Sequence, residues 1–164
     1  MKVNAVKLPL KIKQKTTVLK VSGLANGDSV ASWKPGNTKV VKVSGKPNGT
    51  CTLAAGRKKG KTTITIILKS GLKKKITITV QKAAVKTSKI TGMPKNLKLK
   101  KNQTVTLKAA AAPLTSLQKL KYKSSNKKIV TVTSKGVVKA KKKGKAVITV
   151  QSGSKTVKCK VTVK

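Results

Sequence analysis

The chain has almost no acid. Among 164 residues there is a single Asp and no Glu, Asp28, against 41 lysines and arginines, and histidine is absent. General acid–base catalysis draws mostly on His, Asp or Glu held at a tuned pKa. A carboxylate pair for glycosidic cleavage and a Ser-His-Asp triad are therefore both excluded. A structural zinc site takes four ligands, and only Cys51, Cys159 and Asp28 are on hand. Calcium needs a cluster of oxygen donors rich in carboxylates, which one Asp cannot supply. No catalytic, cofactor-binding or metal-ligating residue is assigned, and the chain reads as a non-enzyme that needs no cofactor.

Aromatics are nearly missing as well: there is no Phe, one Trp and one Tyr. The core must come from Val, Ile, Leu and Ala, and the β-branched members of that set favour strands. No apolar run approaches the ~18 residues of a membrane span, so no transmembrane segment is expected. Met1-Lys2-Val3-Asn4-Ala5 carries no apolar signal region. What is abundant is positive charge. A formal net charge of +40 implies self-repulsion and attraction to any polyanion.

The sequence is internally duplicated. Leu8 aligns with Leu97, Gln14 with Gln103, Trp33 with Tyr122, Asn37 with Asn126, Val40 with Ile129 and Val43 with Val132, at a constant offset of 89. Gly60 aligns with Gly144 and Ile64 with Ile148, at an offset of 84. The first repeat thus carries five extra residues (89 − 84), expected in the turn-rich stretch Ser44-Gly45-Lys46-Pro47-Asn48-Gly49. Two domains are expected, 1–81 and 82–164. Before its Leu97 the second has room for a strand near Val85 to Ile90. The first has only Lys2 to Val6 before Leu8, so its first strand reads as short or truncated, and the chain as part of a longer repeat array, monomeric in isolation.

Within each repeat the hydrophobic period is two. Ile76-Thr77-Ile78-Thr79-Val80 and Val157-Lys158-Cys159-Lys160-Val161-Thr162-Val163 alternate apolar with polar, which puts one set of side chains on a buried face and the other in water. Further strands are expected at 17–21, 30–33, 40–43, 50–53 and 62–68, and at 104–109, 120–124, 130–132, 137–140 and 146–151. Many short strands separated by glycine turns specify an all-β fold of sandwich type. The best helical candidate, Ala109-Ala110-Ala111-Ala112, is stopped by Pro113. Trp33 and Tyr122 are each expected to centre a small core. Asn37 and Asn126 suit turns closed by a side-chain-to-backbone hydrogen bond, and Gly136 and Gly144 suit positive φ or close backbone approach.

These blocks resemble a known family. Tyr122-Lys123-Ser124-Ser125-Asn126, Ile129-Val130-Thr131-Val132, Gly136-Val137-Val138-Lys139-Ala140 and Gly144-Lys145-Ala146-Val147-Ile148-Thr149-Val150 look like the group 2 bacterial immunoglobulin-like domain of intimin- and invasin-like surface proteins. The first repeat shows the pattern through Trp33, Asn37, Val40, Val43 and Gly60-Lys61-Thr62-Thr63-Ile64-Thr65-Ile66. The resemblance implies two tandem immunoglobulin-like β-sandwich domains and a structural or adhesive role on a bacterial cell surface or in a secreted protein. The near absence of acids departs from the family pattern.

Cys51 and Cys159 fall on inward positions of different repeats and are expected to be free, buried thiols. Most lysines alternate with apolar residues and form the wet side of strands, where they also block edge-to-edge aggregation. Three groups are denser: Arg57, Lys58, Lys59 with Lys61; Lys73, Lys74, Lys75; and Lys141, Lys142, Lys143 with Lys145. They are the candidate contacts for polyanions such as teichoic acid, acidic glycans or DNA, bound without sequence specificity. One arginine and no spare aromatic leave little for base readout or stacking. Two other readings stand beside the surface module: a dedicated nucleic-acid-binding protein, and accessory spacer domains of a larger secreted enzyme.

Overall fold

The computed structural model describes residues 1–164 and contains strands and no helix. The chain divides into two compact units, Met1–Val85 and Lys86–Lys164, each an immunoglobulin-like β-sandwich.

The first unit holds β1 (Lys2–Val3), β2 (Lys7–Lys11), β3 (Lys15–Thr16), β4 (Val21–Ser22), β5 (Val30–Pro35), β6 (Val41–Gly45), β7 (Cys51–Ala55), β8 (Gly60–Leu68) and β9 (Lys73–Gln81). One sheet is ordered β2-β9-β8-β5, the facing one β3-β7-β6, and β1 pairs with β4. The first pair, β2 with β9, is parallel, with Lys7 opposite Thr77 and Lys11 opposite Gln81. The second unit holds β10 (Lys89–Thr91), β11 (Asn96–Leu99), β12 (Thr104–Thr106), β13 (Ala110–Ala112), β14 (Lys121–Ser124), β15 (Val130–Val132), β16 (Val137–Ala140), β17 (Gly144–Ser152) and β18 (Lys155–Val163). Its sheets are ordered β11-β18-β17-β14 and β12-β16-β15, with β10 on β13. Strand for strand, this is the order of the first unit.

Alternation decides the core. Ile76, Ile78 and Val80 of β9 and Ile64, Ile66 and Leu68 of β8 are buried, facing Leu53 and Val41 of the other sheet. In the second unit Ile148, Val150, Cys159, Val161 and Val163 meet Val130, Val138 and Ala140. A fully buried Ile or Leu contributes ~1.5–3 kcal/mol, so these aliphatic layers supply the main driving force.

Three expectations change. The strands expected at 17–21 and 104–109 are strands only in part: residues 17–19 and 107–109 are irregular, β3 and β12 before them pair in the three-stranded sheets, and β4 and β13 after them pair in the two-stranded ones. The chain changes sheet between them, and Leu19 and Leu107 plug the crossover, 0 % and 6 % exposed. The alanine run is a strand, not a helix, since Ala110–Ala112 pairs with Lys89–Thr91. Sheet pairing overrides alanine's helical propensity. Finally, Trp33 and Tyr122 do not centre the cores. Each lies on an edge strand on the inward side, opposite the buried Ile66 and Val150, but each is only half-buried. The rings close the sandwich flank over glycines. A Cβ on Gly45 would fall within the Trp33 ring, and one on Gly136, at φ 79, would sit 3.1 Å from the Tyr122 hydroxyl. The indole Nε1–H is buried and has no hydrogen-bond partner in the protein.

The five extra residues are also split. Val43 to its partner Leu53 spans ten residues and Val132 to Val138 spans six, so the β6–β7 hairpin takes four (10 − 6). The fifth lies between Leu53 and Gly60, where the first unit has seven steps and the second, from Val138 to Gly144, has six.

Candidate functional site: the basic poles

In each unit three loops are tied together at one end of the sandwich by backbone hydrogen bonds. In the first, the Lys13 amide donates to the Gly56 carbonyl at 3.1 Å and the Gly56 amide to the Val40 carbonyl at 2.8 Å. In the second, the Asn102 amide donates to the Ala140 carbonyl at 3.0 Å and the Lys141 amide to the Ile129 carbonyl at 2.7 Å.

Each loop has a local reason for its shape. Lys13 and Asn102 adopt left-handed backbone, φ 63 and 65, a conformation that costs a non-glycine residue ~1–2 kcal/mol. The glutamines hold it in place: Gln14 Oε1 accepts from the Lys11 amide at 2.8 Å, and Gln103 Oε1 from the Lys100 amide at 2.9 Å. Asn37 Oδ1 accepts from the Lys39 amide at 2.9 Å and Asn126 Oδ1 from the Lys128 amide at 3.0 Å, the turn expected for both. Gly60 and Gly144 close the third loop where a Cβ would press on Val40 at 2.9 Å or Ile129 at 2.8 Å. The result is a rigid backbone platform.

The platform carries Lys13, Lys39, Arg57, Lys58 and Lys59 in the first unit, all exposed. In the second it carries Lys101, Lys127, Lys128, Lys141, Lys142 and Lys143, also exposed. Lys61 and Lys145 follow on the outward side of β8 and β17. The candidate groups 57–59 with 61 and 141–143 with 145 therefore hold equivalent places. Lys73, Lys74 and Lys75 do not join them. They pair with Ile67, Ile66 and Thr65 near the other end of β8, roughly 20 Å from Gly60 at ~3.3 Å per residue. The sequence patterns missed Lys13, Lys39, Lys101, Lys127 and Lys128, isolated or paired in sequence and gathered only by the loop packing. The equivalence of Gln14 with Gln103 and Asn37 with Asn126 was the available signal.

The only acidic side chain is kept away from this pole. Asp28 lies at the β8–β9 hairpin, where Oδ2 accepts from the Ser70 hydroxyl at 2.7 Å and Oδ1 from the Ser70 and Ser29 amides at 3.2 and 2.9 Å. The Ser70 hydroxyl and these amides hold its pKa below the ordinary carboxylate value. The corresponding hairpin of the second unit is braced by neutral groups. Thr87 Oγ1 lies 2.7 Å from Ser152 Oγ, and Gln118 Oε1 accepts from the Thr87 amide at 2.7 Å.

Both cysteines are buried and free. Desolvation pushes the Cys51 thiol up to about 11 and raises that of Cys159, the opposite of what a nucleophilic thiolate needs. No group of three or more His, Cys, Asp or Glu side chains is placed to hold a metal ion, and no helix is long and apolar enough to cross a membrane.

Among solved structures, the S-layer protein rSbsC(31-844) aligns with 88% of this chain and 21% of its own, at 22% identity and a TM-score of 0.45. Drosophila N-cadherin EC1-3 aligns with 98% of this chain and 65% of its own, at 10% identity and a TM-score of 0.49. Among characterised proteins, kappa-carrageenase from Pseudoalteromonas carrageenovora is 46% identical over 66 residues, 40% of this chain. The chain spans only 17% of that enzyme's length. A family match falls almost wholly within the second unit: residues 84–163 fit the bacterial Ig-like domain (group 2).

Proposed function

We propose that the chain is a non-catalytic structural and adhesive module of a bacterial surface or secreted protein, and that it holds polyanions at its basic poles. On this reading both units are bacterial Ig-like domains in tandem, the first lying outside the matched residues 84–163 but sharing the strand order of the second. The observation that carries the polyanion assignment is the repeated platform. Three loops, locked by equivalent hydrogen bonds in both units, present a cluster of lysines with no acid among them. Two rigid cationic poles meet a flexible anionic chain at little conformational cost to the protein. The ligand class is a teichoic acid, acidic glycan or DNA, bound through charge.

The test is affinity for teichoic acid and for duplex DNA across a salt series. Neutralised phosphates release counterions, giving a log–log slope of about −0.9 per contact on duplex DNA. The wild type should show a slope of several units. Replacing Lys58, Lys59, Lys142 and Lys143 by Ser should weaken binding and flatten the slope. Binding that is absent at low salt, or indifferent to salt, overturns the assignment; an unchanged slope in the variant removes these loops from it.

The carrageenase match favours a second reading, in which the units are accessory domains of a larger secreted enzyme. Activity assays on this chain alone would then be blank, and fusion to a catalytic domain would change that domain's action on polymeric substrate but not on short oligomers.

A further inference from the structure

The two poles are alike in charge but not in floor. In the first unit the platform borders an open basin of about 590 Å³ whose base is Val40, Ala54 and Gly56, with Lys39, Lys42 and Arg57–Lys59 on its rim. The strand register gives the counterparts. Val41 pairs with Ala55 and Val130 with Ala140, so Ala54 corresponds to Lys139. Across the outward side of the three-stranded sheet the first unit reads Lys15, Ala54, Lys42. The second reads Thr104, Lys139, Thr131. One has a small apolar residue between two cations; the other has a cation between two small residues. The larger Ile129 stands where Val40 does, and the loop from Ala55 to Gly60 is one residue longer than that from Ala140 to Gly144. The chain's only arginine, Arg57, is on the rim of the basin.

Charge alone requires none of this. A phosphate chain needs only cations, as in the second unit. An apolar floor contributes only if the ligand brings an apolar face of its own. A guanidinium fork grips carboxylate, sulfate and phosphate oxygens alike, so Arg57 strengthens the hold on an anion and the apolar floor sets the preference. A pyranose ring bearing sulfate or carboxylate has both features, with C–H groups on its face and the anion at its edge. We infer that the first unit's basin is a subsite for one or two residues of a sulfated or carboxylated polysaccharide. The ring packs on Val40 and Ala54, and its anionic group is gripped by Arg57 with Lys39 or Lys42. The second unit provides charge without this selectivity. The inference rests on the polyanion reading proposed above and narrows it for one of the two poles.

The test compares heparin oligosaccharides with linear polyphosphate of matched charge number, at low salt and at about 0.3 M, where the Debye length falls to ~5–6 Å. Covering roughly 60 Å² of apolar floor should favour heparin by about tenfold at the higher salt, equivalent to about 1.4 kcal/mol. Ala54→Lys fills the floor as the second unit does while adding a charge. It should bring the heparin-to-polyphosphate ratio close to one without weakening polyphosphate binding at low salt. Lysine already stands at the matching position 139, so the variant should fold, and an unchanged melting curve checks this. The methyl resonances of Val40 and Ala54 should shift with heparin and not with polyphosphate. Equal affinities in the wild type, or a ratio unaffected by Ala54→Lys, overturn the subsite while leaving the charge-based assignment intact. Binding of neither polymer at low salt overturns both.

Discussion

Replacing Gly45 by Ala should unseat the only tryptophan. The new Cβ would overlap Cδ1, Nε1 and Cγ of Trp33, and a ring clamped against a β-strand cannot yield by a few tenths of an ångström. It must leave its seat. Aromatic side chains bury ~150–250 Å² when enclosed, so expelling this half-buried one uncovers roughly 100 Å², a loss of about 2.5 kcal/mol at ~25 cal/mol per Å². Part of this is recovered. The indole N–H, unpartnered in the folded protein, would reach water, a gain of about 1 kcal/mol. Burial wins by about 1.5 kcal/mol, or roughly 6–12 °C in the melting temperature of a domain this size. The assay is intrinsic fluorescence during thermal unfolding, since Trp33 reports on the first unit alone. Native emission should move to the red and the transition should fall. Gly71→Ala is the control: it has φ +83 but nothing within 4 Å, so it should cost only the ~1 kcal/mol of left-handed backbone strain and leave emission unchanged. An unaltered spectrum and melting curve for Gly45→Ala would refute the glycine-seat account.

Four other outcomes follow from the structure. Ile148, fully buried, should cost about 3 kcal/mol when cut to Ala, read through the single tyrosine, Tyr122, in the second unit. Asp28 has a lowered folded pKa, so its contribution to stability is present above the ordinary carboxylate value and lost as pH falls through the folded one. Melting between about pH 6 and pH 2 should show a decline that is smaller in Asp28→Asn. Neither cysteine should react with a maleimide at neutral pH until the protein is unfolded, because both are buried and their thiols are raised; fast native labelling would contradict their burial. Raising salt from about 10 to about 300 mM should lift the melting temperature by screening the +40 charge, and a flat response would show that the lysines are too dispersed to repel strongly.

Much of the fold was legible because alternation is a local signal. Residues 76–80 and 157–163 declare their inward sides without help from the rest of the chain. The broken strands were not legible. Thr17 to Val21 reads as one strand, whereas residues 17–19 are the irregular crossover between β3 in one sheet and β4 in another. Ala110–Ala112 was misread for the same reason, since its pairing with Lys89–Thr91 lies about twenty residues away. The aromatics were misjudged because size suggests burial, whereas an edge-strand position lets a ring cap the flank. At the candidate site, runs such as Arg57-Lys58-Lys59 were visible as charge density. The contributions of Lys13 and Lys39 depend on hydrogen bonds through Gly56, which no spacing rule encodes. Lys73–Lys75 stood out as a run of similar density and belongs to a different end of the sheet.

The parallel pairing of β2 with β9, and of β11 with β18, bears on mechanics. In each unit the second strand and the last strand run side by side in the same direction. A pull on the two ends of a unit therefore drags these neighbours past each other along their length. The hydrogen bonds between Lys7–Lys11 and Thr77–Gln81 must then fail together under shear, whereas an antiparallel terminal hairpin could be unzipped one bond at a time. A module built this way resists tension by its topology, whatever its lysines hold.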